Sequence, residues 1–238
     1  MKRTVLVTGA GRGLGYCIAK RHADMGDRVF ALDYKITDGL VKMSHNTENM
    51  TVLECDISST ESVAKAAKPV LEAVSRLDIV YNVAGIYRFE DRVNLVETDL
   101  DLCASMYSIN AVGALRVVRA LWPLLQDGPV IINISSEAGS IGACYRDKEY
   151  AYCMSKAALN MGSKILQNEF KKINNSGRVI NLHPGWLRTA MGGPEAAVSD
   201  RSVAPEDSAG DIVAIALDAG SFPEDRMYME HTRNPLPW

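Results

Sequence analysis

Tyr152 and Lys156 stand four positions apart in the run Glu149-Tyr150-Ala151-Tyr152-Cys153-Met154-Ser155-Lys156-Ala157-Ala158. If this run is helical, a phenol and an ammonium leave the same face one turn apart. Tyr150 has no such partner, because position 154 is methionine. A free phenol titrates near pH 10, too high to exchange protons readily at neutral pH, and a close ammonium favours the phenolate. Lowering that value by about three units corresponds to roughly 4 kcal/mol of differential stabilisation. Desolvation opposes the shift, so the lysine has to be near. Ser136, closing the stretch Asn133-Ile134-Ser135-Ser136, adds a hydroxyl able to direct an oxygen that gains charge. Ser135 offers the neighbouring alternative. Asn110, in Ser108-Ile109-Asn110-Ala111, sits in an apolar helical stretch, where an amide carries a propensity penalty and needs partners if buried. A Tyr-x-x-x-Lys pair alone also occurs on solvated helix faces; joined to the serine and the asparagine, it describes proton exchange with a substrate oxygen.

Those side chains need elements to carry them. Tyr152 and Lys156 belong to a helix expected to reach about Lys172, and Ser136 follows a β-branched strand over Pro129–Ile134. The chain opens with a strand at Thr4–Thr8, then Gly9-Ala10-Gly11-Arg12-Gly13-Leu14-Gly15, then a helix from Leu14 to Ala23. A glycine turn ahead of a helix N-terminus presents unpaired N–H groups and a positive dipole end, which suits a phosphate. Lacking Cβ atoms, the glycines let a pyrophosphate approach the main chain. The strict G-x-G-x-x-G dinucleotide pattern fails, since Leu14 occupies the third glycine position. A turn that binds nothing is the competing reading. The second strand, Arg28–Leu32, ends at Asp33, about 20 residues after the turn, where a carboxylate accepts hydrogen bonds from a ribose and repels a 2′-phosphate.

What the turn does fit is Thr-Gly-x-x-x-Gly-x-Gly, occupied by Thr8, Gly9, Gly13 and Gly15. With Asn110, Ser136, Tyr152 and Lys156, motifs spaced from Thr8 to Thr189 resemble the short-chain dehydrogenase/reductase family. The resemblance implies a single-domain, Rossmann-type, doubly wound α/β fold of about seven parallel strands with helices on both faces. A dinucleotide-binding half would cover about 1–125, and a catalytic and substrate half about 126–238. It implies an NAD(P)-dependent oxidoreductase moving a hydride between a nicotinamide cofactor and an alcohol or carbonyl substrate. Tyr152 would be the general acid/base, Lys156 would also grip the nicotinamide ribose, and Ser136 would fix the substrate oxygen. The Asn110 side chain would help hold a water linked to the lysine. Cofactor contacts implied by position are Gly9, Arg12, Gly13, Leu14, Gly15, Asp33, Asp56, Ile57, Asn82, Ala84, Gly85, Tyr152, Lys156, Pro184, Gly185 and Thr189. Asp56 matches an adenine-contacting acid and equally suits a helix N-cap ahead of Ser58-Ser59. Asp33 favours NAD; Arg12, a base inside the turn, favours NADP. The repulsion at Asp33 is weighed above one flexible arginine, so NAD is expected over NADP.

The chain departs from the family in two places. Asn82 is followed by Val83, where the family usually has a second asparagine. Ser136 and Tyr152 are 16 positions apart, farther than is usual, with the extra length placed in Gly142–Lys148. That loop either walls the substrate pocket or is a surface insertion.

Further strands are expected at Thr51–Cys55, Leu77–Tyr81, Arg178–Leu182 and Met227–Met229. Helices are expected over Ser59–Ser75, with Pro69 as a kink or break, over Leu95–Leu125, and from Pro205. Ala190–Val203 resembles a substrate-covering loop, and His183 reads as structural. The ending Asn234-Pro235-Leu236-Pro237-Trp238 resembles the small carbonyl-reductase-like branch related to sniffer and C-factor proteins.

The 238 residues carry a net charge of −3 with no basic run, which argues against a nucleic-acid partner. No apolar stretch approaches the roughly 20 residues of a membrane span, and the apolar start is too short for a signal peptide. Five cysteines without C-x-x-C spacing read as reduced residues of a cytoplasmic protein, with no metal site. The long helices are expected to pair subunits into a homodimer or homotetramer. The alternative to an enzyme is a dinucleotide-sensing regulator without turnover; such proteins typically lose the Tyr or the Lys, and both are present here. A sugar-nucleotide epimerase or dehydratase on the same fold would need a longer chain.

Overall fold

Strand-forming runs alternate with helical segments along the whole chain, and a helix intervenes between each strand and the next, which makes parallel pairing possible. In a computed structural model describing residues 2–238, the strands are β1 (Thr4–Thr8), β2 (Arg28–Asp33), β3 (Met50–Glu54), β4 (Ile79–Asn82), β5 (Val130–Ile134), β6 (Arg178–His183) and β7 (Tyr228–Glu230). All pair in parallel in one sheet of order β3-β2-β1-β4-β5-β6-β7. The order reverses between β1 and β4, opening a crevice at their C-terminal ends, where sheets of this kind take ligands.

The helices are α1 (Gly13–Asp24), α2 (Asp38–His45), α3 (Thr60–Ala73), α4 (Leu102–Met106), α5 (Gly113–Ala120), α6 (Tyr150–Lys172), α7 (Pro194–Val198) and α8 (Pro205–Leu217). Because side chains alternate along a strand, Val5 and Val7 face one layer and Leu6 the other. The first layer packs Ile18 of α1, Leu40 of α2 and Ile212 of α8; the second packs Val70 of α3, Val117 of α5 and Phe170 of α6. Among the described residues no helix is long and apolar enough to cross a membrane.

The helix expected over Leu95–Leu125 is shorter and segmented. Asn94 Oδ1 accepts from the N–H groups of Val96 and Glu97, and Asp99 Oδ1 from that of Asp101, so side-chain turns displace the first helical turns. After α4 the chain widens into a π-helix over Tyr107–Val112, resumes as α5, and ends in a 3-10 turn at Trp122–Leu124. Pro69 does not break its helix, which continues to Ala73. The loop expected over Ala190–Val203 contains α7, and α2 is an element the residue pattern did not announce.

A polar rung crosses the middle of the sheet. Asn82, Asn133 and Asn181 lie in register on β4, β5 and β6, all buried. Asn82 Nδ2 donates to Asn133 Oδ1 at 2.8 Å, and Asn133 Nδ2 donates to Asn181 Oδ1 at 3.3 Å and Ser163 Oγ at 2.8 Å. Asn82, expected at the cofactor, thus has its side chain committed to the sheet interior.

Candidate active site

The glycine turn is built by close approach. Gly9 has φ +67°, and a Cβ there would lie 2.8 Å from the Ala84 main chain. A Cβ on Gly15 would lie 2.2 Å from the Gly9 carbonyl oxygen. Gly13, with φ +55°, faces the Thr189 methyl at 3.3 Å from its would-be Cβ. The turn, Ala84 after β4, and Thr189 therefore converge at one end of the sheet. Helix α1 starts at Gly13, so its first N–H groups have no partner within the helix. The Leu14 side chain is buried in the apolar core, which leaves only its main chain for a cofactor contact. Thr8 Oγ1 accepts from Val83 N–H at 3.0 Å and Ala84 N–H at 3.2 Å, tying β1 to the segment after β4.

Asp33 stands at the tip of β2 with its carboxylate fixed. Gly11 N–H donates to Oδ2 at 2.8 Å and Lys35 N–H to Oδ1 at 3.1 Å. Gly11 was not anticipated as a site residue, yet a Cβ there would lie 2.9 Å from that carboxylate. Arg12 is exposed beside it. Ser59, not Asp56, caps α3, accepting from Ser62 N–H at 3.2 Å. Asp56 instead turns the chain by accepting from Ser58 N–H at 2.8 Å. Ile57 is buried, its side chain filling the space beside Gly113.

The proposed chemical groups meet at the start of α6. Asp91, wholly buried, accepts from the N–H groups of Ala151 at 3.2 Å and Tyr152 at 2.9 Å, and so holds the first turn. It does this in place of Glu149, whose φ is +66° and whose side chain makes no cap. The Tyr152 ring meets Tyr87 edge to face, centroids 5.0 Å apart, and its hydroxyl lies near that of Ser136. Ser136 Oγ accepts from Ala138 N–H at 3.2 Å and donates to Glu137 Oε2 at 2.6 Å. Tyr228 hydroxyl donates to the Ser136 carbonyl oxygen at 2.5 Å, bracing it from β7. Ser135 is committed elsewhere, to Asn160 Oδ1 at 2.7 Å.

Lys156 Nζ lies 5.7 Å from the Tyr152 ring centroid and donates to the Ile134 carbonyl oxygen at 2.8 Å. Burial without a carboxylate partner lowers its pKa to about 8. The expected lowering at Tyr152 is not found: burial raises the phenol well above its usual value, partly offset by the nearby Ser136 hydroxyl. The ammonium is aimed at a carbonyl, not at the phenol, so it does not outweigh desolvation. Tyr152 therefore carries its proton at neutral pH.

The Asn110 side chain is spent on protein. Its Oδ1 accepts from Ile86 N–H at 2.7 Å, and its Nδ2 donates to the Ile86 carbonyl at 2.9 Å and to Ser155 Oγ at 3.0 Å. It pins the segment after Gly85 against α6. A Cβ on Gly85 would lie 3.2 Å from Asn110 Oδ1 and 3.7 Å from Lys156 Nζ. Pro184 and Gly185 follow β6; Ser208 Oγ donates to the Pro184 carbonyl at 2.7 Å, and Gly185 has φ +83°.

The lengthened loop folds over this group. Arg146 pairs with both Glu137 and Glu149, and Tyr87 hydroxyl donates to Glu149. Trp238 carbonyl oxygen accepts from Gly142 N–H at 2.7 Å and Pro237 carbonyl from Ser140 Oγ at 2.6 Å, which fastens the base of the loop. Arg146 thereby ties the loop to Glu137, the residue next to Ser136.

The residues present fit a nicotinamide dinucleotide. The glycine turn brings the unpaired N–H groups at the start of α1 close to Ala84 and Thr189, and Asp33 offers an oriented acceptor. Lys156 is a buried cation with three donors and a single protein acceptor among the described residues. Such a group, when bound, supplies or receives a hydride.

Residues 3–200 match the short chain dehydrogenase family. An uncharacterised oxidoreductase of Schizosaccharomyces pombe is 31% identical over 226 residues, covering 88% of each chain. The NADPH-bound carbonyl reductase from chicken fatty liver superposes with a TM-score of 0.87 at 27% identity, over 100% of this chain and 99% of that one. The carbonyl reductase Sniffer of D. melanogaster superposes at 0.86 over 100% of both chains; at 24% identity that likeness is one of fold. The seven-stranded fold, the glycine turn and these matches agree: the chain is an oxidoreductase that belongs to the short-chain dehydrogenase family.

Proposed function

We propose that the protein is a cytoplasmic, NAD-preferring enzyme that interconverts an alcohol and a carbonyl compound. What supports this reading most is the pairing of Tyr152 with a buried Lys156 one turn on along α6, the Ser136 hydroxyl lying near the phenol. Tyr152, protonated at neutral pH, is the acid for carbonyl reduction; Ser136 donates to the reacting oxygen; Lys156 holds ribose hydroxyls with the donors Ile134 leaves free. Ala84, Gly85, Pro184, Gly185 and Thr189 border the cofactor. The NAD preference rests on the Asp33 carboxylate, which two N–H groups hold where a 2′-phosphate would have to sit.

Oxidation of NADH and NADPH in the presence of a panel of ketones is the test, followed by absorbance. NADH supports the higher kcat/KM, and Asp33→Ser moves the preference toward NADPH by at least about tenfold, the scale of one removed charge repulsion. Tight dinucleotide binding with no turnover across the panel overturns the enzyme reading in favour of a sensor. Better use of NADPH by the unaltered protein overturns the role given to Asp33.

The exposed apolar residues Met154, Met161 and Ile165 of α6, with Leu115 of α5, support pairing of two copies along these helices. Light scattering is expected to give at least twice the 26.0 kDa chain mass, and Met161→Glu with Ile165→Glu to reduce it to one chain. A monomeric mass for the unaltered protein refutes the pairing.

A further inference from the structure

The Ser136 hydroxyl has one proton, and Glu137 Oε2 holds it at 2.6 Å. To serve a substrate oxygen, that proton has to swing away from a carboxylate. Glu137 remains charged when it does: burial works against the charge, but the Arg146 guanidinium paired with it favours the carboxylate. His183 Nδ1, 3.3 Å from Glu137 Oε2, makes no hydrogen bond to it in this arrangement. Arg146 pairs through the other oxygen, Oε1, and keeps the carboxylate beside the serine. Removing a donor from a half-buried carboxylate is unfavourable unless the ligand brings another.

We propose that the substrate brings it: a hydroxyl on the carbon next to the reacting one donates to Glu137 Oε2 as Ser136 turns to the reacting oxygen. The substrate class is then an α-hydroxy ketone in reduction and a vicinal diol in oxidation. The two oxygens of such a compound lie about as close together as Ser136 Oγ and Glu137 Oε2 do. A substrate carboxylate at that position would meet Glu137 with like charge, so α-keto acids are excluded. Arg146, contributed by the lengthened loop, sets this preference by fixing Glu137. The inference rests on the carbonyl–alcohol reading above and adds its substrate.

The test is kcat/KM of the full chain for 3-hydroxy-2-butanone against 2-butanone, with NADH and NADPH. The unaltered protein favours the hydroxy ketone by at least about tenfold, chiefly in KM, as expected where a site's buried polar group is left unpaired by the poorer substrate. Glu137→Ala brings the ratio to within about threefold and raises 2-butanone turnover by freeing the serine proton, and Glu137→Gln, whose amide oxygen still accepts, lowers the ratio by less. A merely structural Glu137 would lower both substrates together and leave the ratio unchanged; that result in both variants overturns the proposal, as does equal use of the two ketones by the unaltered protein. Failure to reduce any ketone of the wider panel overturns the enzyme reading and this inference with it, whereas equal use overturns the inference alone.

Discussion

Tyr152→Phe is expected to lower turnover by at least about a hundredfold, the scale of a lost general acid, while dinucleotide affinity holds. The substitution removes one oxygen. The ring stays against Tyr87, and the first turn of α6 stays held by Asp91 through main-chain groups the change does not touch. What disappears is the proton that burial keeps on the phenol, beside the Ser136 hydroxyl. Initial-rate assays with a ketone, together with a fluorescence titration of NADH, separate the two quantities. Near-normal turnover would remove Tyr152 from the chemistry.

Gly15→Ala is expected to weaken dinucleotide binding by at least about tenfold, or about 1.4 kcal/mol, and to destabilise the fold by about 1–3 kcal/mol, as overpacking does. The added methyl would fall 2.2 Å from the Gly9 carbonyl oxygen, a main-chain atom with no flexible end to yield. Helix α1 must then move off the turn, and its unpaired N–H groups lose their aim. Gly220→Ala is the control, because nothing lies within 4 Å of its would-be Cβ. Unchanged NADH affinity and thermal midpoint in Gly15→Ala would show that the helix does not need to sit so close.

Local patterns made much of this legible from residues alone. Strands β1 and β5 and the glycine turn are short-range signals, and the helix bearing Tyr152 and Lys156 follows from spacing within a few residues. Pairings across long stretches of chain were not legible. Asp91 steadies Tyr152 from about 60 positions away, and nothing near either residue announces it. Arg146 could be placed on a longer loop, but only the folded chain shows that it reaches back to Glu137. At Asn82 and Asn110 the motif indicated the position but not the partners across the fold: Asn82 Nδ2 donates to Asn133, and Asn110 bonds Ile86 and Ser155. The missing helical turns over Leu95–Asp101 have a different origin, since apolar rhythm does not register an asparagine and an aspartate that compete for main-chain N–H groups.

The asparagines threaded through the centre of the sheet have a consequence for how the strands find their places. Apolar strands can slide past one another with modest loss, but β4, β5 and β6 each carry an amide that meets its counterpart in a single alignment. Sliding any of them by one residue would turn its amide to the opposite face and strand its neighbours' donors among hydrocarbon. The rung thus acts as a key for alignment, and it sets how far Asn133, and with it Ser136 three residues on, stands from the helix that bears the phenol.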